Sequence, residues 1–377
     1  MALSKIGMKS IYLITLLAML AVLAIGCAPQ ATQAPAAPAE PEKVEAPAAA
    51  PTEAKAAEPA PTEAKPEKKE LTKINLRLSW KYKGEYAHLF AARELGYFAD
   101  EGLDVNILEG SDKANPVQLL VSGEDQFAYL DPTKTIPAIH QGMDLLIVGT
   151  FLQKMPVGIA SKDTVKNDGP QDMVGKKVVD TAASTGSLIM KPFLELNHID
   201  PNSVELVIAD GGAKTSMFLG DQVQLMSGYF TNDFPVLEVT QGVKLNKWLF
   251  ADFGYNMLMH GILGSRQYIE KNPDVTTGLI RAVQRGAKWA AENPKDAAEM
   301  MHKLFPEILP EDLTIAQWNA ASQLFFTENS KGHPYGWQSD VDWEDTINKL
   351  RDTGVIEKRF DDVHKYFTND YVDMSVK

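Results

Sequence analysis

Aromatic side chains interleaved with carboxylates and amides recur at a few places in this chain of 377 residues. Trp80, Tyr82, Glu85 and Tyr86 form one group, Tyr129 and Asp131 a second, and Phe151 and Gln153 a third. Tyr229, Phe230, Asn232 and Asp233 form a fourth, and Tyr335 and Trp337 stand together near the end. Flat aromatic faces suit flat molecules, each stacked pair contributing about 0.5–1.5 kcal/mol beyond burial. Carboxylates and amides beside them can read the N–H and C=O edges of a ring. A site built to hydrogen-bond one such group discriminates strongly against molecules that lack it. The run Thr181 to Ser187, which includes Thr185, offers hydroxyls and backbone N–H groups at a helix start, where an anion would fit. Each group also has a plain structural role open to it. Trp80 and Tyr129 could be core residues at strand ends, Asp131 a helix N-cap, and Lys83 and Glu85 solvated charges.

Other chemistries find little support. There is no Gly-rich phosphate loop, no H-E-x-x-H motif and no cysteine cluster. The histidines at 88, 140, 198, 260, 302, 333 and 364 lack metal-ligand spacing, and no G-x-S-x-G elbow presents a nucleophile. The expectation is a binding protein with no catalytic residue, metal or cofactor. A net charge of −13 argues against nucleic acid as a partner.

The elements that must position the aromatic groups follow from periodicity. Ile74, Leu76, Leu78 and Trp80 alternate as in a strand with one buried face. A helix is expected over Tyr86 to Leu95, then a second strand over Val105 to Glu109. Strand, helix and strand in series imply parallel strands with a right-handed crossover. Ligands of such sheets sit at the carboxyl ends of the strands, which is where the aromatic groups lie. The pattern continues through strands at 126–130, 145–151 and 157–160. It starts afresh from Gly175 to Asp180, with further strands at 204–209 and 223–227. Two doubly wound α/β lobes with a ligand cleft between them are therefore expected. Residues 248–266 read as extended segments returning to the first lobe, and the tail is helical, with helices over 311–326 and 341–350 among others. The expected division is lobe 1 at 72–160 and 255–377, and lobe 2 at 161–254.

The N-terminus reads differently. Lys5 and Lys9 precede the apolar run Ile11 to Ile25, which ends in Leu23-Ala24-Ile25-Gly26-Cys27. That is a charged segment followed by a short apolar one, a signal peptide over 1–26. Small residues before the sole cysteine resemble a bacterial lipobox, so Cys27 is the expected lipidation site. A doubly acylated cysteine holds a protein stably at a membrane. Residues 27–71 are rich in Ala, Pro, Glu and Lys and are expected to form a disordered, extended tether.

The stretch from Leu76 to Val105, a strand ending in Trp and then "A…ELGYFADEGLDV", resembles the opening of solute-binding proteins of ABC importers. The branch is the one related to thiamine-pyrimidine, sulfonate, nitrate and riboflavin uptake. Lys176 to Asp210, "SGYFTNDFPVLE" (Ser227 to Glu238) and Tyr335 to Val372 resemble later parts of the same family, so the resemblance covers about residues 72–373. It implies the periplasmic-binding-protein type II fold, with two lobes joined by a hinge that close on a ligand, and C-terminal helices. It implies ABC permease and ATPase subunits as partners, and a location at the extracytoplasmic face of the cell membrane. It carries binding roles to Trp80, Tyr82, Glu85, Tyr129, Asp131, Tyr229, Asn232 and Asp233. Pyrimidine binders usually follow the Trp with Pro, Asn and a His, whereas this chain has Lys81-Tyr82-Lys83-Gly84-Glu85. Aromatic candidates in both lobes favour a multi-ring ligand, riboflavin, over a thiamine pyrimidine precursor (formylaminopyrimidine or hydroxymethylpyrimidine). Glu85, Asp131 and Asp233 oppose a small sulfonate or nitrate. Pyrimidine-synthesis enzymes of the family need a Cys-rich motif that a chain with Cys27 alone does not carry.

Overall fold

The structure, a computed structural model, describes residues 70–111, 115–182 and 184–376. Cys27, the signal peptide and all but the last residues of the tether lie outside them.

The first strand, β1 (Thr72–Leu78), buries Ile74, Leu76 and Leu78 as its alternation requires. It lies between β2 (Leu103–Leu108) and β3 (Phe127–Leu130), parallel to both. The link to β2 is the helix α1 (Ala87–Glu94), and β3 is reached through α2 (Pro116–Ser122). After β3, α3 (Pro132–His140) leads to β4 (Leu145–Thr150).

The chain then crosses to a second sheet. β5 (Val157–Lys162) pairs antiparallel with both β8 (Leu225–Tyr229) and β9 (Leu245–Leu249). β6 (Lys177–Asp180) lies parallel to β7 (Glu205–Ile208) and to β8. Helices α4 (Thr185–Leu196) and α5 (Gly211–Leu219) supply the crossovers. β10 (Gly261–Ser265) returns to the first sheet and runs antiparallel between β3 and β4. The sheet orders are β2-β1-β3-β10-β4 and β7-β6-β8-β5-β9. Both sheets are thus mixed, with β10 antiparallel in the first and β5 antiparallel in the second.

Two boundaries differ from the sequence reading. β5 belongs wholly to the second sheet, so the crossing falls before Val157 and not at 160. Trp248 and Leu249 also stay in that sheet, as part of β9. An apolar strand that is buried throughout carries no mark of which sheet it joins. The outward connector at Phe151–Pro156 and the return at Phe250–His260 run side by side. Phe151 N and Leu152 N both donate to His260 O (3.0 Å), and Met259 N donates to Leu152 O (2.9 Å). These paired segments are where the two lobes join.

The C-terminal helices cover the first sheet. α6 (Pro273–Glu292) packs on α1, and the backbones approach so closely that a Cβ on Gly286 would strike the carbonyl oxygen of His88. α7 (Pro294–Leu304), α8 (Glu311–Ser322) and α9 (Asp340–Asp352) follow. α8 stops short of the expected Phe326. The carbonyl of Leu324 instead accepts from Gln153 N (2.8 Å) and Lys154 N (2.9 Å), which ties it to the outward connector.

Candidate functional site

The carboxyl ends of β1, β3, β6 and β8 face a cavity of about 320 Å³. That is at the small end of the range for organic-ligand sites. One wall comes from the first lobe: Ser79 and Trp80 after β1, Lys83 and Glu85 in the next turn, Asp131 after β3, Lys134 on α3, and His260 before β10. The other comes from the second lobe: Val157, Asp180, Thr181 and Ser184, Gly211, Lys214 and Thr215 on α5, and Ser227, Gly228, Tyr229, Asn232 and Asp233 at and just beyond the end of β8.

Six of the sequence candidates line this cavity: Trp80, Glu85, Asp131, Tyr229, Asn232 and Asp233. Trp80 was expected as the last inward residue of β1, but the strand ends at Leu78 and the indole is 42% exposed. Tyr229 is partly buried, its hydroxyl 3.1 Å from Thr185 Oγ1 and its backbone N–H donating to Asp233 Oδ2 (2.8 Å). Asp131 does stand at the N-cap position of α3, yet its carboxylate caps no backbone N–H. It accepts from the Thr133 hydroxyl and has Lys134 Nζ 4.0 Å away.

Of the other six, Tyr82 lines an adjoining depression and five lie elsewhere. Tyr82 stacks on Phe305 (4.3 Å between centres) and donates its hydroxyl to Ile107 O (3.0 Å). Tyr86 is fully buried, its hydroxyl 3.0 Å from Ser79 Oγ. Tyr129 lies inside the first lobe between Tyr86, His88 and His260. Phe151 is buried beneath Gly336. Thr185 reaches the cavity only through Tyr229. Trp337 stacks on His333 at 3.6 Å. Large aromatic rings at strand ends gain more from burial in the core than from a place at an open cleft.

The wall residues that sequence reasoning missed are mostly charged partners. Lys83 Nζ is 2.9 Å from Glu85 Oε1. Lys214, 7% exposed, lies 3.4 Å from Asp180 Oδ1 and 3.9 Å from Asp233 Oδ2. Burial acts to raise the Glu85 pKa, but the charge of Lys83, with a smaller contribution from His260, overcomes it and holds the carboxyl at about 2. His260 places Nε2 3.1 Å from Ser79 Oγ, and burial pushes its pKa down, so the ring is neutral at pH 7. Four carboxylates thus meet three lysines across the walls, and no strong positive field favours an anion. The sequence signal that could have found Asp180 was an acid at the carboxyl end of an apolar strand. His260 and Lys214 gave no such signal.

A second, more apolar depression adjoins the first and shares Trp80, Lys83 and Asn232 with it; Val236, Ile308, Leu309 and Leu313 line its far side. The lobes touch here: Gln317 on α8 donates to Asn232 Oδ1 (3.3 Å) and accepts from Gly84 N (2.8 Å). Among the described residues no acidic, His and Cys cluster could hold a metal ion, and no helix is long and apolar enough to cross a membrane.

Residues 83–297 match the family described as NMT1/THI5 like. The riboflavin-binding protein RibY of Chloroflexus aurantiacus is 26% identical over 332 residues, covering 86% of this chain and 91% of that protein. The formylaminopyrimidine-binding protein of Halalkalibacterium halodurans is 25% identical over 295 residues, covering 75% and 86%. A 4-amino-5-hydroxymethyl-2-methylpyrimidine phosphate synthase of Legionella pneumophila is 23% identical over 307 residues, covering 80% and 92%. In fold the chain is similar to the periplasmic aliphatic sulphonate binding protein SsuA of Escherichia coli. The TM-score is 0.60 at 13% identity, over 80% of this chain and 99% of that one. This likeness is to the periplasmic-binding-protein fold that the sequence resemblance implied.

Proposed function

The chain belongs to the NMT1/THI5-like family, and from that premise we propose that it is the solute-binding component of an ABC importer for a flat heterocyclic nutrient. Riboflavin is the best candidate. The observation that carries this reading is the pair Trp80 and Tyr229, one from each lobe, lining a single cavity with carboxylates beside them. Aromatic faces from both sides can hold a ring system, and acceptors at its edge can read ring N–H groups. The adjoining apolar depression beyond Trp80 gives room for a further ring, which supports a multi-ring ligand over a single pyrimidine. The alternative is a formylaminopyrimidine-type precursor, supported by the relative of that name. A synthase role is disfavoured, because the sole cysteine, Cys27, leaves no Cys-rich motif.

Titration of the purified protein with riboflavin is expected to quench flavin emission. Trp80→Ala should weaken that binding about 10- to 100-fold, as removing an aromatic anchor does. Trp80 is 42% exposed, so the variant should fold normally. Absence of flavin binding, together with a melting temperature raised by a pyrimidine precursor, would move the assignment to the pyrimidine.

The lipid anchor at Cys27 and docking on permease and ATPase subunits belong to the same proposal. Cys27→Ser is expected to abolish palmitate labelling in cells and to release the protein from the membrane fraction. Unchanged labelling in that variant would exclude Cys27 as the acylated residue.

A further inference from the structure

The second-lobe wall holds two polar atoms that the protein itself leaves without partners. Asp180 is 1% exposed. Its Oδ1 accepts from Thr181 N (2.7 Å) and from Lys214 Nζ (3.4 Å), while its Oδ2 has no hydrogen-bond partner. Ser227, also 1% exposed, has an unpartnered Oγ. Both residues line the cavity, and both atoms flank Gly186, where a Cβ would collide with each of them. Only glycine at this first turn of α4 lets both side chains come this close. A third such atom, Nδ1 of His260, lies on the opposite wall, in a residue 7% exposed.

Buried polar atoms are nearly always paired, and each exception calls for an explanation. A carboxylate oxygen accepts and does not donate. The partner that completes Asp180 must therefore bring an O–H or N–H. An anionic group would meet the carboxylate oxygen at close range with no proton between them.

Resting on the solute-binding reading above, we infer that Asp180 and Ser227 recognise an uncharged hydroxyl- or amino-bearing arm of the ligand, and that Asp180 rejects an anionic arm. The donor on the arm goes to Asp180 Oδ2. The Ser227 hydroxyl is free to accept from a neighbouring group or to donate to it. A flavin bearing a polyhydroxyl chain and a hydroxymethyl aminopyrimidine both satisfy this corner, whereas a sulfonate does not.

The test is affinity measurement on the whole protein and on its Asp180→Asn and Ser227→Ala variants. The probes are riboflavin, lumiflavin (the same ring with a methyl in place of the polyhydroxyl arm), 4-amino-5-hydroxymethyl-2-methylpyrimidine and an aliphatic sulfonate. Riboflavin is expected to bind at least tenfold more tightly than lumiflavin, with both variants weakening riboflavin and sparing lumiflavin. The Ser227 hydroxyl supports no other group, so Ser227→Ala reports on the corner even if Asp180→Asn folds poorly. Equal binding of the two flavins, unchanged in both variants, would overturn the inference and leave the flavin reading standing. Binding of the pyrimidine alone, weakened by the variants, would do the reverse. Tight binding of the sulfonate, or of none of the probes, would overturn the inference.

Discussion

Lys83→Met is expected to destabilise the folded protein by about 3–5 kcal/mol at neutral pH, the usual result of stranding one charge of a buried pair. Glu85 is 4% exposed, and Lys83 is the cation against it. His260 also acts on it, but its buried ring is neutral at pH 7 and does not replace the lysine charge. The pH dependence gives the stronger check. In the native protein the Glu85 pKa is about 2 against 4.5 in an exposed chain. Its stabilising contribution is therefore complete above pH 4.5 and is lost as pH falls toward 2. Without Lys83, burial is left as the dominant influence and raises the pKa above 4.5. The sign then reverses, and Glu85 destabilises increasingly as pH rises through neutrality. Adding Glu85→Gln to Lys83→Met should restore much of the loss. Denaturant unfolding of the four proteins of this cycle measures the coupling. A coupling near zero would mean that the pair contributes nothing to the fold.

The second large effect concerns His88, which is 1% exposed inside the first lobe. Its ring lies among Tyr129, Phe151, Trp318 and Phe325, with centres 5.2–6.0 Å away. Neither ring nitrogen makes a hydrogen bond of standard geometry. Burial lowers its pKa to about 3 from 6.5. The unfolded chain therefore takes up this proton first. Stability is full above pH 6.5 and declines as pH falls toward 3, by about 3 kcal/mol at pH 4 at 1.36 kcal/mol per unit. His260 acts in the same sense through its own burial. His88→Phe keeps an aromatic ring in the cage and removes the titration. Its melting temperature should fall less steeply between pH 6.5 and 4.5, a window above the range where Glu85 titrates. An unchanged slope in the variant would assign the acid sensitivity to other groups. The comparison rests on slope because the larger ring carries its own packing cost of about 1–3 kcal/mol at every pH.

Local patterning in the chain was enough for the class of fold and for the strand ends that line the cavity. Alternating apolar residues in β1 and helical spacing in α6 are local properties, and they persist whatever the chain packs against. Parallel strands must end on one side of their sheet. That is why Trp80, Asp131 and Tyr229, each just beyond or at the end of a strand, reach one cavity. Tertiary structure alone decided which aromatics remained available. Tyr86, Tyr129 and Phe151 look the same in sequence as Trp80, yet they are buried inside the first lobe, while Tyr82 is half-buried at the adjoining depression. It also decided that β5 would pair with β8 and β9, since an apolar strand records its burial and not its partners. Finally, it brought Asp180, Lys214 and His260 together. Each is an ordinary residue on a separate element: packing within the second lobe pairs Lys214 with Asp180, and His260 reaches the same cavity from the first lobe.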